Sequence, residues 1–296
     1  MNDFQKLLNV QVDGVSVDGR CRKFTNRSIK KESKINALEQ IIKMIDLTTL
    51  EGDDSSGRVA RLCQKAQEPM IGAPPVAAVC LYPKMIPEAV RILENSTVKV
   101  ASVATAFPAG QASMDVRLLD LEQALTNGAD EIDMVISRGD WLSGDEQMIA
   151  DEIAAFKAVC GSKHLKVILE TGELGTLTNV RRASLTAIAA GADFIKTSTG
   201  KIPQAASLAT TLVMLEAARD WHDLSGQKVG VKAAGGIRTA KEAISYLVMV
   251  LETVGPEWIN PQLFRFGASS LLNDLLRQLY KQQTGVYQGE DYLSLA

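Results

Sequence analysis

The 296-residue sequence is short of histidine, the commonest metal ligand in proteins. It contains only His164 and His222, and neither stands in an H-x-H or H-E-x-x-H pair. A catalytic zinc ion usually takes three protein ligands from histidine, cysteine and carboxylate side chains. We therefore expect no catalytic metal, and no other cofactor.

Cysteine, net charge and long apolar runs are also scarce. The 4 cysteines are widely spaced without a C-x-x-C pair, which indicates reduced thiols in a reducing compartment. No apolar run approaches the roughly 18 residues of a membrane helix, and the N-terminus lacks the compact apolar core of a signal peptide. A net charge of -3 provides no long-range attraction for phosphate backbones or anionic lipids. We expect a cytoplasmic protein that binds neither nucleic acid nor membrane.

The composition, with 46% hydrophobic and 23% charged residues, is that of an ordinary globular protein with a sizeable core. Residues 1–35 differ from the rest because a short alternating segment is followed by a basic polar run. We interpret them as an extension, either a solvated arm or surface helix or an oligomer contact. The remaining residues, 36–296, form one predicted domain with a C-terminal tail from about 281.

Short apolar runs rich in Val, Ile and Ala recur along this domain and predict eight β-strands. Their centres are about 32 residues apart, the length of one βα unit, and helix-period segments lie between them. Two capping boxes, Ser143-Gly-Asp-Glu146 and Thr239-Ala-Lys-Glu242, are predicted to begin helices. The pattern favours an α/β fold of the closed (β/α)8 kind, a TIM barrel, over an open doubly wound sheet.

Charged residues occur near the predicted carboxyl ends of these strands, where TIM barrels place their active sites. Lysines in buried strands are uncommon because an unpaired buried ammonium is costly. The charged residues in question are Asp46, Asp133, Lys166, Glu170, Lys196 and Lys232.

Lys196 and Lys232 are predicted to point to the same side of neighbouring strands, about 4.8 Å apart. A second cation and partial desolvation both lower the pKa of an amine, which makes it a nucleophile near neutral pH. Asp133 is the predicted carboxylate partner of this pair. The alternative is a structural one, in which Lys232 pairs with Asp133 only to hold the barrel together. Lys166 has a similar structural interpretation, as an ion pair with a glutamate, Glu131 or Glu170.

Glycine-rich turns after strands 7 and 8 are the candidates for a phosphate site. Gly235 and Gly236 follow strand 7, and the segment Gly267-Ala-Ser-Ser270 follows strand 8. Backbone amides in such turns approach an anion closely, and helix N-termini add positive potential. The segment Lys196-Thr-Ser-Thr-Gly-Lys201 is not a P-loop, since isoleucines stand where the motif needs Gly and Ser or Thr.

Seven segments in order resemble the 2-deoxyribose-5-phosphate aldolase family, from about Asp46 to Ser270. They are Ile45-Asp-Leu-Thr-Thr-Leu, Val79-Cys-Leu-Tyr-Pro, Gly128-Ala-Asp-Glu-Ile-Asp-Met-Val, Val167-Ile-Leu-Glu-Thr-Gly-Glu-Leu, Asp193-Phe-Ile-Lys-Thr-Ser-Thr-Gly-Lys, Val231-Lys-Ala-Ala-Gly-Gly-Ile-Arg and Phe266-Gly-Ala-Ser-Ser.

The resemblance implies roles for specific residues. Lys196 forms an imine with the substrate, Lys232 tunes it, and Asp133 relays protons with Lys232. The residues implied at the substrate end are Asp46, Thr48, Thr199 and Lys201. The residues implied around the phosphate are Gly235, Gly236, Arg238, Gly267, Ser269 and Ser270.

The implied enzyme is a class I aldolase of deoxyribonucleotide catabolism. It cleaves 2-deoxy-D-ribose 5-phosphate reversibly to acetaldehyde and D-glyceraldehyde 3-phosphate, without a metal, and the family habit suggests a homo-oligomer. Ala233 departs from the family, which commonly has proline there. Some members use a C-terminal tyrosine, but neither Tyr287 nor Tyr292 is included in our catalytic set. The alternatives are another lysine-dependent sugar-phosphate aldolase or transaldolase, and a non-catalytic barrel that binds sugar phosphates.

Overall fold

In the computed structural model, which describes residues 3–27, 29–289 and 292–293, eight parallel strands close into a barrel in chain order. The last strand pairs with the first, through Ile45 and Phe266 among others. The predicted TIM barrel is therefore confirmed. The strands are β1 Ile45–Thr48, β2 Ala78–Leu81, β3 Lys99–Ala104, β4 Glu131–Val135, β5 His164–Ile168, β6 Phe194–Lys196, β7 Gly230–Ala234 and β8 Phe264–Ala268.

Helices cover the outside of the barrel and bury apolar faces against it. Those that follow the strands are α4 Ser56–Gln67, α5 Ile86–Leu93, α6 Met114–Thr126, α7 Arg138–Leu142, α8 Glu146–Cys160, α9 Leu177–Ala189, α10 Leu208–Ser225, α11 Ala240–Val254 and α12 Leu271–Thr284. Short 3-10 helices span Pro83–Met85, Thr171–Glu173 and Pro256–Trp258. Among the residues described, no helix is both long enough and apolar enough to cross a bilayer.

One of the two predicted capping boxes is confirmed. Thr239 accepts from the backbone of Glu242 at the start of α11, and Glu242 reaches back to Thr239. The box predicted at Ser143 is wrong, because Asp145 is the N-cap of α8 and accepts from the Met148 amide at 3.0 Å. A carboxylate at this position also interacts favourably with the positive end of the helix dipole.

The described part of the N-terminal extension is largely helical, in α1 Asp3–Leu8, α2 Gly14–Thr25 and α3 Lys31–Lys43. Helix α2 packs against α10 and α11, where Val17 and Phe24 are buried. Helix α3 runs across position 35, so the division between 1–35 and 36–296 falls inside a helix and stays a prediction.

The strand register places three cations in one row of the barrel. Lys196 is the partner of Lys232 on β7, and Lys232 is the partner of Arg265 on β8. Residues that are paired in parallel strands point to the same face. The row is therefore lysine, lysine, arginine on three adjacent strands.

Gly230 makes room for an aromatic ring beneath this row. A Cβ added there would lie 2.3 Å from Cε1 of Phe194, on the neighbouring strand. We expect Gly230→Ala to lower the free energy of unfolding by about 1–3 kcal/mol, because a packed core overfills. Urea denaturation followed by circular dichroism measures the change. The control is Gly57→Ala in α4, where the added Cβ meets only Nη1 of Arg61 at 3.9 Å. An equal loss in both variants would contradict the packing explanation.

Candidate active site

Seven charged side chains from β1 and β4–β8 form a buried cluster inside the barrel. None of them is more than 4% exposed. They are Asp46, Glu131, Asp133, Lys166, Lys196, Lys232 and Arg265, and we call them the barrel cluster.

Asp133 is the centre of this cluster and contacts three lysines. Its Oδ2 accepts from Nζ of Lys196 at 2.6 Å and from Nζ of Lys232 at 2.8 Å. Its Oδ1 accepts from Nζ of Lys166 at 2.9 Å. The structure therefore brings the three predicted catalytic residues into direct contact.

The other two carboxylates of the cluster link the lysines to Arg265. Asp46 contacts Nζ of Lys232 at 2.5 Å and also binds Arg265. Glu131 accepts from Arg265 at 3.0 Å and contacts Nζ of Lys166 at 2.5 Å. Of the two glutamates predicted for Lys166, Glu131 is the one that contacts it.

The cluster depresses the pKa of one lysine and raises that of another. At Lys196, burial is the largest effect and Lys232 adds to it, so that the pKa is lowered although Asp133 opposes both. Lys232 is also desolvated, but Asp133 and Asp46 outweigh the burial and raise its pKa. The positive charge therefore stays on Lys232, while Lys196 loses its proton more easily than a free lysine.

The carboxylate at the centre remains ionised. Burial works against the charged form of Asp133, but Lys166, Lys196 and Lys232 outweigh it and hold its pKa well below the usual range. The nearby thiol of Cys80, with Sγ 3.9 Å from Oδ2 of Asp133, has its pKa raised by burial and by that carboxylate. Cys80 therefore stays a neutral thiol.

A polar cavity of about 490 Å³ opens onto Lys196 and Lys232. It brings together most of the predicted substrate and phosphate residues: Thr48, Thr199, Lys201, Gly235, Gly236, Arg238, Gly267, Ser269 and Ser270 all line it. Asp46 is different, because it has no exposed surface and does not line the cavity. Its position favours holding Lys232 and Arg265 over touching a substrate.

Three polar residues at the substrate end are held by contacts with nearby residues. The Thr48 hydroxyl donates to the backbone oxygen of Asp46 at 2.9 Å. The Thr199 amide donates to Oε1 of Glu170 at 3.2 Å. Lys201 forms an ion pair with Glu51 at 3.1 Å across the cavity mouth. Glu170 lies beyond the carboxyl end of β5, and its contacts with the amide and hydroxyl of Thr199 support the β6–α10 loop.

The loop after β7 begins with two glycines in the left-handed region of backbone conformation. Gly235 and Gly236 have φ values of 77° and 81°, and a Cβ at Gly235 would lie 2.8 Å from Cβ of Ala205. Arg238 is exposed beside them, and Ser270 directly precedes α12.

Gly267 has a different position from the one that we predicted. It lies within β8, not after it, and a Cβ there would lie 3.0 Å from Cε of Lys232. Its lack of a side chain therefore makes room for the lysine.

Two arginines were missed by the sequence interpretation. Arg58 lines the cavity from α4 and pairs with Asp53 at 2.7 Å, and no sequence pattern distinguished it. Arg265 stands between Phe264 and Phe266 in a buried strand. A charged residue in an apolar strand is the signal that identified the lysines, so the same signal could have identified this arginine.

Neither C-terminal tyrosine contacts the cavity. Nζ of Lys281 lies 3.5 Å from the ring centroid of Tyr287, near the end of α12. Ser270, at the start of that helix, lines the cavity, so the contact with Lys281 is roughly 16 Å away along the helix axis. Tyr292 is 75% exposed. In the described part of the chain, no group of three or more His, Cys, Asp or Glu side chains is placed to hold a metal ion.

The fold and the site together define a class, that of TIM barrels with buried lysines facing a polar cavity. Residues 40–277 match the DeoC/LacD family aldolase model. The chain is 46% identical to the deoxyribose-phosphate aldolase of Mus musculus and 44% identical to that of Homo sapiens, in each case over 96% of this chain and 94% of the relative. A crystal structure from Toxoplasma gondii, provisionally assigned as a deoxyribose-phosphate aldolase, superposes with a TM-score of 0.75 at 26% identity, covering 88% of this chain and 100% of that one. The chain belongs to the DeoC/LacD family of aldolases.

Proposed function

We propose that this protein is a class I aldolase that cleaves 2-deoxy-D-ribose 5-phosphate reversibly to acetaldehyde and D-glyceraldehyde 3-phosphate. The observation that carries the mechanism is Asp133 bound to both Lys196 and Lys232, where Lys196 has the lowered pKa. The names of the mouse and human relatives support the choice of substrate.

The reaction begins when the neutral amine of Lys196 adds to the aldehyde carbon C1 of the open-chain sugar. The nitrogen loses a proton and the carbinolamine oxygen gains one, and both transfers take place within reach of Asp133 and Lys232. The carbinolamine hydroxyl then leaves as water, which generates an iminium ion at C1. This ion is the electron sink for the next step, so no metal is needed to stabilise an enolate.

The C2–C3 bond breaks when a base removes the proton of the C3 hydroxyl. The bond's electron pair moves to C2 and neutralises the iminium as an enamine, and C3 leaves as the aldehyde of glyceraldehyde 3-phosphate. Protonation of the enamine at C2 and attack of water on the resulting iminium release acetaldehyde and restore Lys196. Asp133, Lys232 and water carry the protons between these steps.

The phosphate lies at the other end of the cavity in this scheme. The Gly236 amide, the Arg238 guanidinium and the N-terminus of α12 offer positive potential there, whereas the Gly235 amide donates to the backbone oxygen of Gly267 at 3.2 Å. Thr48, Thr199 and Lys201 face the sugar carbons between the phosphate and the lysines.

The cellular setting is also part of the proposal. All 4 cysteines are free, which supports a reducing, cytoplasmic compartment. The product chemistry suits deoxyribonucleotide catabolism, and the partners are the sugar phosphate and acetaldehyde. For residues 1–35, the proposed role is a contact between copies of the chain in a homo-oligomer, made through the N-terminal helices.

Borohydride trapping tests the central step. The protein is incubated with acetaldehyde, reduced, digested and mapped by mass spectrometry. We expect a reduced two-carbon adduct on Lys196. An unmodified Lys196 together with a labelled Lys232 would overturn the assignment of roles.

Product analysis separates the proposed substrate from the alternatives. Deoxyribose 5-phosphate should yield acetaldehyde and glyceraldehyde 3-phosphate in equal amounts. Transfer of a dihydroxyacetone unit without acetaldehyde would indicate a transaldolase. Binding of the sugar phosphate without turnover would indicate a non-catalytic barrel. The lowered pKa of Lys196 argues against that alternative, because binding alone does not require a neutral amine.

Arg238 provides a test of the phosphate end. We expect Arg238→Ala to raise KM for deoxyribose 5-phosphate by about 10- to 100-fold with kcat changed far less, because a charge-assisted hydrogen bond is lost. Steady-state kinetics with deoxyribose, which has no phosphate, is the control. An equal loss with both sugars would contradict phosphate binding by this arginine.

A further inference from the structure

Arg265 is buried, lies in the row of cations with Lys196 and Lys232, and has no part in the mechanism above. It is 4% exposed and does not line the cavity, so its guanidinium is not placed to touch a substrate. It binds Asp46 and Glu131, and those carboxylates in turn contact Lys232 and Lys166. It is therefore connected to both lysines that share Asp133 with the nucleophile.

The charges of the barrel cluster balance only if one lysine is neutral. The cluster holds three carboxylates, on Asp46, Glu131 and Asp133, against four basic side chains. With Lys166, Lys232 and Arg265 charged, the sum is zero when Lys196 is neutral and +1 when Lys196 is protonated. An uncompensated charge in a desolvated site is costly. Without Arg265, a protonated Lys196 would be the balanced state.

We propose that Arg265 is a positioning residue for catalysis, the third cation beside Lys166 and Lys232, whose charge keeps the amine of Lys196 unprotonated and nucleophilic. The inference rests on the proposed function, because it assigns a chemical purpose to the neutral amine. It also explains why a buried arginine stands in β8 at the level of the two lysines.

No other titratable group of the barrel cluster changes its charge before Lys196 does. The buried charged or titratable side chains on the strands that surround it are Asp46 of β1, Cys80 of β2, Glu131 and Asp133 of β4, Lys166 of β5, Lys232 of β7 and Arg265 of β8. His164 of β5, whose side chain is 44% exposed, lies 3.9 Å from Glu131, and Lys99 of β3 is exposed. The Cys80 thiol is neutral, and burial together with Asp133 raises its pKa. The carboxylates keep lowered pKa values against their burial because they face cations. Lys196 is the cation of this cluster whose pKa is lowered, so it gains or loses a proton first.

The size of the effect follows from the spacing of the row. Arg265 lies two strands from Lys196, a backbone separation of about 10 Å. At an effective dielectric constant of about 20, one charge at this distance shifts the pKa of Lys196 by about one unit.

The test is a set of four proteins: the wild type, Arg265→Gln, Glu131→Gln and the double variant. The acid limb of kcat/KM against pH reports the pKa of the free enzyme's essential groups. We expect the limb to move about one pH unit higher in Arg265→Gln, because the cluster now favours a protonated Lys196. Glu131→Gln should move it about one unit lower, because one carboxylate is lost. The double variant should lie within about 0.3 unit of wild type, because both charges are removed.

A purely structural role for Arg265 would give a different pattern. Both single variants would then lose activity and thermal stability without opposite shifts, and the double variant would be the worst of the three. That pattern, or an unmoved pH profile in all three variants, overturns the proposal. If Arg265→Gln does not fold, the proposal is still tested by the other two variants. The acid limb should move lower in Glu131→Gln and return to the wild-type position in the double variant.

A second measurement separates this inference from the proposed substrate. Cyanate carbamylates neutral amines, so the rate of Lys196 carbamylation against pH reports its pKa without any turnover. Peptide mass mapping identifies the modified lysine. Shifts of opposite sign in the two single variants support the inference even if the wild type releases no acetaldehyde. Normal acetaldehyde release with an unshifted carbamylation profile leaves the proposed function intact and overturns the role of Arg265.

Discussion

Replacing Lys196 with methionine should abolish aldol cleavage while leaving the barrel folded. We expect kcat/KM for deoxyribose 5-phosphate to fall by at least about 10⁵-fold, because removal of a covalent nucleophile eliminates the route that it opens. No borohydride-trapped adduct should form with acetaldehyde. A coupled assay for glyceraldehyde 3-phosphate, run at high enzyme concentration, measures the residual rate.

The stability of this variant is an equally specific expectation. When Lys196 is neutral, its replacement by an apolar side chain of similar length leaves the cluster's charge unchanged. Asp133 keeps Lys166 and Lys232 as partners. We therefore expect the free energy of unfolding to change by less than about 1.5 kcal/mol, as for a volume-conserving substitution.

The matched control is Lys166→Met, which removes a different lysine from the same carboxylate. Lys166 is fully buried and contacts Asp133 and Glu131, but it does not line the cavity. Loss of its charge leaves buried carboxylates undercompensated and should cost about 3–5 kcal/mol. Adduct formation on Lys196 should persist in the folded fraction but require a higher pH than in wild type, because loss of this charge, like loss of the Arg265 charge, makes the protonated form of Lys196 the balanced state. If Lys166→Met lost the adduct and Lys196→Met kept it, the nucleophile would be Lys166 and not Lys196.

Much of the site could be predicted from the sequence because the βα repeat fixes where strand ends meet. Eight apolar runs at regular spacing predict a closed barrel, and parallel strands bring Asp133, Lys196 and Lys232 to one interior surface. Buried lysines are conspicuous in a sequence since burial of a lone ammonium is unfavourable. Strand periodicity and the cost of burying charge therefore sufficed to predict that these three side chains meet.

The pairing of charges within the barrel could not be obtained in the same way. Periodicity shows that Glu131, Lys166 and Arg265 point inward, but the contacts depend on the stagger between strands on opposite sides of the barrel. Arg265 reaches both Asp46 on β1 and Glu131 on β4, which lie far from it in sequence. The family resemblance implied a place for Asp46 at the substrate end, whereas the structure buries it against Lys232 and Arg265.

The helix start at Asp145 shows a local limit of sequence patterns. A Ser and a Glu three residues apart satisfy the capping pattern at 143–146, but an aspartate within the same segment competes for the N-cap. The short helix α7, which ends at Leu142, leaves Ser143 on its own C-terminal side. The box pattern alone does not indicate which of two acceptors lies at the helix start.

Asp133→Asn should produce the other large effect, because this carboxylate bridges the nucleophile and its neighbouring cation. The asparagine cannot carry the charge that Lys166 and Lys232 require, nor can it exchange protons with the carbinolamine. We expect kcat to fall by about 10²–10⁴-fold through loss of proton transfer. We also expect the free energy of unfolding to fall by about 3–5 kcal/mol, since three lysines lose one shared partner.

A control in another part of the barrel separates these two losses. Glu152→Gln removes a buried carboxylate from an ion pair with Arg117, at the α6–α8 contact outside the cavity. It should destabilise the protein by a comparable amount but leave kcat within about 2-fold of wild type, because it touches no reacting group. Urea denaturation and steady-state kinetics on both variants make the comparison. If Glu152→Gln reduced kcat as much as Asp133→Asn, destabilisation alone would explain the kinetic loss, and the proton relay through Asp133 would have to be abandoned.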